Sequence, residues 1–251
     1  MIAFELFSGS QSFRKVAEPI GVKCYSLDFK QWRDLHTDWL VDYMQFDVQK
    51  AVKEVGVPDL VWASPDCAVF SVASGNTHFD KRSLAPKTVK AVKSIEVVQK
   101  LYNDILWLLS INPNLIFWIE NPNGRMKWLP FLQETNLLFT QPIENYRVVE
   151  FDQCAYGREY KKTTNLFTND RLFVPKHCIG ESCHHSRSND GKSAWKNHEC
   201  KDTKGGYLNG GYLQRAMLPP ALFIDLLKPY HYETKPIHRF APFAPNNAFG
   251  L

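Results

Sequence analysis

Nowhere does the 251-residue sequence carry an apolar run approaching the ~18 residues that a membrane-spanning helix needs. The opening residues Met1-Ile2-Ala3-Phe4 lack the pattern of a secretion signal. The expectation is therefore a cytoplasmic enzyme or binding protein with no membrane partner. Charge of one sign is also missing: 30 Lys and Arg stand against 26 Asp and Glu, a formal +4 that permits an acidic partner without demanding one. Internal repeats and low-complexity stretches are absent, which leaves one α/β domain with a small appendage as the natural use of this length. The six cysteines, Cys24, Cys67, Cys154, Cys178, Cys183 and Cys200, come without a secretion signal and so read as thiols or metal ligands rather than disulfides.

What is present begins with Ile2 to Phe7, a strand, followed by the small-residue turn Ser8-Gly9-Ser10-Gln11-Ser12 and a short amphipathic helix from Phe13 to Ala17. Small residues between a strand and a helix let backbone approach a ligand, so Phe7, Ser8, Gly9, Ser10 and Ser12 are candidate cofactor contacts. With a single glycine, an ordinary strand-to-helix turn is the other reading. The next strand, Lys23 to Phe29, ends at Asp28, nineteen residues beyond Gly9, where a carboxylate can accept from ribose hydroxyls. Asp47 either receives an adenine amino group or caps a helix from Val48 to Val55.

Leu60 to Ala63 is a buried parallel strand stopped by Ser64-Pro65, so Cys67 falls just past its carboxyl end, where open α/β sheets carry their chemistry. Cys67 is either a small buried hydrophobe or a nucleophile. A helix from about Thr88 to Leu109 follows, with Lys87, Lys90 and Lys93 on one face, either solvated or facing a phosphate backbone. The apolar strand Leu115 to Ile119 ends in Glu120-Asn121-Pro122. A carboxylate at that depth is costly unless protonated, paired or used, which makes Glu120 a candidate general acid. After a strand from Tyr146 to Phe151, Tyr156-Gly157 with Lys161, Lys162 and Thr164 suits contact with phosphate or a base. Residues 175–211 lose apolar periodicity, a helix is expected over Tyr212 to Leu227, and Pro229 to Leu251 reads as a tail.

Together these residues resemble the DNA cytosine-5 methyltransferase family, in particular its compact bacteriophage forms. Phe7-Ser8-Gly9-Ser10 is similar to the family's cofactor loop, Asp28 to its ribose-binding acid and Asp47 to its adenine-contacting acid. Pro65-Asp66-Cys67 with Phe70-Ser71 resembles the segment supplying the nucleophile, and Glu120-Asn121-Pro122 the segment supplying the catalytic glutamate. Tyr156-Gly157 with Lys162 and Thr164, and Gln214-Arg215-Ala216-Met217-Leu218-Pro219-Pro220, resemble the last two motifs. Asp66 stands where the family has proline, Ala68 replaces glutamine, Lys162 and Thr164 replace arginines, and Arg215-Ala216 replaces Gly-Asn. The charge of Asp66 should raise the Cys67 pKa.

The resemblance implies a Rossmann-like, doubly wound mixed sheet of the S-adenosylmethionine-dependent class. Residues 1–169 would form the catalytic domain, 170–211 a small target-recognition segment, and 212–251 a returning helix plus tail. It implies transfer of a methyl group from S-adenosylmethionine to carbon 5 of a flipped cytosine in DNA, with Cys67, Glu120 and Lys162 catalytic. Phe7, Ser8, Gly9, Ser10, Ser12, Asp28, Asp47 and Pro65 would hold the cofactor, and Ser71, Lys87, Lys90, Lys93 and Lys161 the nucleic acid. The chain would act as a monomer, in a host cytoplasm if phage-encoded. The alternatives are a catalytically degraded nucleic-acid-binding homologue, or a cytosine-modifying enzyme with a non-duplex substrate or a non-methyl group. Cys178, Cys183, His185 and Cys200 are candidate ligands of a structural zinc in the recognition segment.

Overall fold

The computed structural model describes residues 1–32, 34–133, 143, 145–158, 162–180 and 217–231. Seven strands form one sheet: β1 (Ile2–Leu6), β2 (Lys23–Asp28), β3 (Trp39–Leu40), β4 (Leu60–Ala63), β5 (Ile116–Pro122), β6 (Arg147–Asp152) and β7 (Thr163–Thr168). Their order is β3-β2-β1-β4-β5-β7-β6, with β7 antiparallel to both neighbours and the remaining pairs parallel. The expected mixed, doubly wound sheet is therefore present. The winding reverses between β1 and β4, and ligands of such sheets bind at the carboxyl ends beside that reversal. The register aligns those ends, with Leu6 beside Leu27 and Ala63, and Ala63 beside Ile119.

Both faces are covered, which explains why the central strands read as apolar runs. Along β1, Ala3 and Phe4 point to opposite sides, as do Val61 and Trp62 in β4 and Phe117 and Trp118 in β5. Phe4, Val61 and Phe117 pack under α2 (Val48–Val55) and α3 (Val89–Ile111), while Ala3, Trp62 and Trp118 pack under α1 (Arg14–Ala17) and α4 (Pro220–His231). Phe223 of α4 is fully buried, 4.8 Å from the Trp62 ring and 5.6 Å from the Phe13 ring, both edge-on. The Thr88 side chain caps α3 by accepting from Ala91 N, and Asp47 caps α2 by accepting from Gln49 N and Lys50 N.

Three elements differ from expectation. The carboxyl-terminal helix spans Pro220–His231 rather than Tyr212 to Leu227: residues 217–219 are non-helical, Pro220 at the first helical position follows the rule that a proline begins a helix and restrains the residue before it, and the helix continues through Pro229 into what the sequence reads as tail. Glu120 lies inside β5 rather than beyond it, because β7 continues the ladder through Glu120, Asn121 and Pro122. β7 has no apolar run to announce it, because its Thr-Thr-Asn start disguises an interior strand.

Glu5 is the one buried carboxyl of β1. Its two oxygens accept from Phe13 N and Arg14 N, both at 3.1 Å, tying the strand to the start of α1. Burial pushes its pKa to about 8 against the pull of those two N–H groups. Below that pH the folded chain holds a proton that an unfolded glutamate has released, so stability falls as pH rises from about 4.5 to about 8. Urea midpoints should decline over that window, with a Glu5 contribution no steeper than about 1.4 kcal/mol per pH unit. A Glu5→Gln variant should show a visibly flatter profile; an unchanged slope would assign the dependence elsewhere.

Candidate active site

The turn after β1 is built by backbone geometry that few residues adopt. Phe7, Gly9 and Gln11 all have positive φ, +58°, +46° and +55°. Ser8 N donates to Leu27 O at 2.9 Å and Gly9 N to Asp28 Oδ2 at 2.8 Å, while Lys30 N donates to Asp28 Oδ1 at 3.0 Å. Asp28 thus braces the turn from the end of β2, and each carboxylate oxygen keeps a second lone pair for a ligand hydroxyl. The Ser8 hydroxyl is buried without a hydrogen-bond partner. Ser10 and Ser12 share a 2.6 Å hydroxyl contact, and Leu218 N donates to Ser12 Oγ at 3.3 Å, so the carboxyl-terminal segment returns to this turn.

These groups suit S-adenosylmethionine: an acid for the ribose, an orphaned hydroxyl and a close-approach backbone at the switch point. Phe29, next to Asp28 and 71% exposed, offers an aromatic face there that sequence reading passed over; an exposed aromatic after a strand-end acid was the available signal. Asp47 is exposed, and both of its cap bonds fall on Oδ1.

Cys67 is half-buried in the loop after β4. Its carbonyl accepts from Phe70 N at 3.1 Å and Ser71 N at 2.9 Å, so the loop coils directly after it. The fully buried Asn121 donates through Nδ2 to Pro65 O at 3.3 Å, which ties β5 to the residue two before the cysteine. Asp66 is a structural part of the loop: Oδ1 accepts from Ala68 N at 3.0 Å, and Oδ2 lies 3.8 Å from Lys90 Nζ. Gly124, in the turn after β5, presses against the same loop. A Cβ placed there would sit 2.2 Å from Phe70 O, so only glycine fits.

Glu120 is 6% exposed, with Oε1 4.0 Å from Lys162 Nζ. Burial raises its pKa, opposed by the charges of Lys162 and Arg158 and by a Ser64 hydrogen bond. Burial also raises the Cys67 thiol; Lys162 lowers it, while Glu120 and Asp66 raise it further. The effect of Asp66 runs in the expected direction but is secondary to burial. Lys162 therefore stands electrostatically between the thiol and the carboxyl. Replacing it by methionine should raise the Cys67 pKa and slow iodoacetamide labelling of Cys67 at pH 8, roughly tenfold for each pKa unit. Labelling at the wild-type rate would remove Lys162 from this role.

The other candidate residues divide. Pro65, Lys90 and Lys93 line a cavity of about 380 Å³ with Asp66, Val89, Ser94 and Val97. Lys87 Nζ donates to Asn76 O at 2.9 Å, and Ser71 pairs with Gly124 in an isolated bridge. Lys161, Cys183, His185 and Cys200 lie outside the described residues, as does the recognition segment from residue 181 to residue 211. Cys178 N donates to Asp152 Oδ2 at 2.9 Å, and among the described residues no group of three His, Cys, Asp or Glu is gathered for a metal. None of the described helices is long and apolar enough to cross a membrane.

No family model matches the chain. Among solved structures, the Entamoeba histolytica methyltransferase EhMeth is 16% identical with a TM-score of 0.48, covering 70% of this chain and 56% of that one. The S. pombe Dnmt2 methyltransferase is 12% identical with a TM-score of 0.38, covering 70% and 52%. This chain spans just over half the length of those structures. A protein of frog virus 3 (isolate Goorha), named "Probable DNA (cytosine-5)-methyltransferase", is 30% identical over 236 residues, covering 90% of this chain and 99% of that one. On the strength of that nearly end-to-end match, the chain belongs to the DNA (cytosine-5)-methyltransferase family.

Proposed function

We propose that this chain transfers a methyl group from S-adenosylmethionine to carbon 5 of a cytosine in DNA through a covalent adduct on Cys67. The observation that carries the reading is the grouping of Cys67 and Glu120, at the carboxyl ends of the neighbouring strands β4 and β5, with Lys162, just before the amino end of the antiparallel β7, beside a turn suited to a nucleoside. Carbon 5 of cytosine is too weak a nucleophile to take a methyl group directly. Addition of the Cys67 thiolate at carbon 6 makes it an enamine carbon. Glu120, buried and with its pKa raised, carries the proton that ring nitrogen 3 needs as the adduct forms. Lys162 favours the thiolate and offsets the charge left on Glu120. After methylation, loss of the carbon 5 proton to a base and expulsion of the thiolate restore the ring.

Phe7 to Ser12, Asp28, Asp47 and Pro65 would hold S-adenosylmethionine, which supplies an electrophilic methyl group when bound. The base must leave the helix stack to reach Cys67, at a cost of a few kcal/mol. Lys87, Lys90 and Lys93, beside the Cys67 loop at Asn76 and Asp66, would hold the backbone of a strand. Residues 1–169 would form the catalytic unit, with 170–211 choosing the target.

Nucleoside mass spectrometry after incubation with DNA and S-adenosylmethionine tests this reading. The expected product is 5-methylcytosine. Cofactor binding without any product would favour the degraded, nucleic-acid-binding alternative, which is supported by the placement of Asp66 next to a thiol whose pKa burial already raises and the charges of Glu120 and Asp66 raise further. A cytosine product of another mass, or one formed only on a single-stranded substrate, would favour a related modification.

A further inference from the structure

Arg125 lies five residues beyond Glu120, in the turn that closes β5. Its backbone N–H donates to Phe70 O at 2.8 Å, Nη1 to Gly75 O at 2.7 Å and Nη2 to Asn76 Oδ1 at 2.9 Å. The guanidinium carbon stands 5.9 Å from the centre of the Phe79 ring, which is buried and lies 5.9 Å from Phe70. One residue therefore grips the segment after Cys67 at Phe70, Gly75, Asn76 and Phe79. Lys87 adds a second hold from the far side of the loop sequence, at Asn76 O.

This grip is more than the loop supplies for itself. Apart from the bridge of Ser71 to Gly124, the backbone bonds between Ser71 and Thr77 are short-range turns, Ser74 N to Ser71 O, Gly75 N to Val72 O and Thr77 N to Ser74 O. Such turns set local shape but cannot anchor the loop to the sheet. The anchor comes from β5, whose turn presses Gly124 against Phe70 and extends the planar fork of Arg125 along the loop. Bonds from a guanidinium are among the stronger ones available, and two from one fork fix direction as well as distance.

We propose that Arg125 is a positioning residue for Cys67, locking residues 70–79 so that the nucleophile loop and the Glu120 strand form one unit before nucleic acid arrives. This rests on the methyl-transfer reading for its kinetic consequence and on geometry alone for its effect on the thiol. With the fork removed, the segment loosens, Cys67 gains exposure and its distance to the reacting carbon is no longer held. A misplacement of about 1 Å costs roughly 100-fold in rate.

The test compares Arg125→Met and Arg125→Lys with the wild-type full chain. In Arg125→Met, kcat for methyl transfer should fall by roughly 100-fold while KM for S-adenosylmethionine stays within about twofold, because the cofactor turn is elsewhere. Cys67 alkylation by iodoacetamide, followed by peptide mass spectrometry, should rise severalfold. Arg125→Lys, which keeps the charge but replaces the planar fork by a single donor nitrogen, should recover part of both effects. Wild-type kcat in Arg125→Met would overturn the proposal, as would a lowered melting temperature with unchanged Cys67 labelling. Should Arg125→Met fail to fold, Asn76→Ala removes the side-chain amide that accepts from Arg125 Nη2 while leaving Arg125 itself in place, and unchanged labelling in it would likewise overturn the proposal. If the wild-type chain makes no 5-methylcytosine, the functional reading fails, and the alkylation comparison alone decides the positioning claim.

Discussion

Cys67→Ala is expected to abolish methyl transfer, by at least about 10³-fold, while S-adenosylmethionine binds within about twofold of its wild-type affinity. The asymmetry follows from the division of labour across the sheet. The cofactor turn is built from Phe7 to Ser12 and braced by Asp28 on β2, whereas Cys67 sits in the loop after β4 and makes its backbone bonds to Phe70 and Ser71. Loss of one sulfur leaves the backbone of both segments intact. What disappears is the addition at carbon 6, and without it carbon 5 has no enamine character with which to take a methyl group. Calorimetric titration of the cofactor and a methyl-incorporation assay on the same preparation give the two halves of the result. Residual transfer within tenfold of wild type would remove the nucleophile from the account.

Gly124→Ala is expected to come second in size, though the added atom would meet backbone and no reactive side chain. The backbone at Gly124 is extended, with φ near −169°, so any residue could adopt the conformation. The obstacle is space. A methyl group there would lie 2.2 Å from Phe70 O and 3.1 Å from Phe70 C, and both are backbone atoms that cannot swing aside. The turn after β5 or the loop after Cys67 must move. Phe70 is only three residues from the nucleophile, so the displacement reaches it. A loss of stability of about 1–3 kcal/mol is expected from overpacking, together with roughly 100-fold in kcat from misplacement. Thermal melting and steady-state kinetics check both; an active, wild-type-stable alanine variant would show that the two turns are not in register as described.

Much of this was readable beforehand for a simple physical reason. β1, β4 and β5 are buried on both faces, so they appear as largely apolar runs, and the residues that break those runs at their carboxyl ends are Gly9, Cys67 and Glu120; Asp28 closes the more polar β2 beside them. The sheet's far side was harder. β7 is an interior strand that begins Thr-Thr-Asn, and its threonine hydroxyls are paired away from their neighbours in sequence, Thr164 Oγ1 accepting from Gln153 Nε2 at 2.9 Å and Thr168 Oγ1 donating to Phe117 O at 2.5 Å, while Asn165 Nδ2 is buried without a hydrogen-bond partner. No local pattern announces that. The carboxyl-terminal helix was expected eight residues early because the apolar content around Tyr212 to Leu218 outweighed the stop signal of Pro219-Pro220.

Asp66 changed meaning most. From the sequence it is a negative charge beside a nucleophile. In three dimensions one of its oxygens closes the turn onto Ala68 N and the other faces Lys90, so it shapes the loop as well as opposing ionisation of the thiol. Gly124 and Arg125 carried no signal at all, since their roles depend on backbone atoms some fifty residues away. By contrast, the grouping of Cys67 with Glu120 needed only the parallel register of β4 and β5, which the two apolar runs implied.

The central claim is that Cys67 forms a bond to the cytosine during methylation. DNA carrying 5-fluorocytosine tests it most directly, because fluorine at carbon 5 cannot depart as a proton does and the adduct should persist. With S-adenosylmethionine present, the account predicts a denaturation-resistant complex of protein and DNA. Peptide mass spectrometry should place its bond on Cys67, and Cys67→Ala should form none. Production of 5-methylcytosine from ordinary DNA with no trapped complex, or with the bond on another residue, would contradict it.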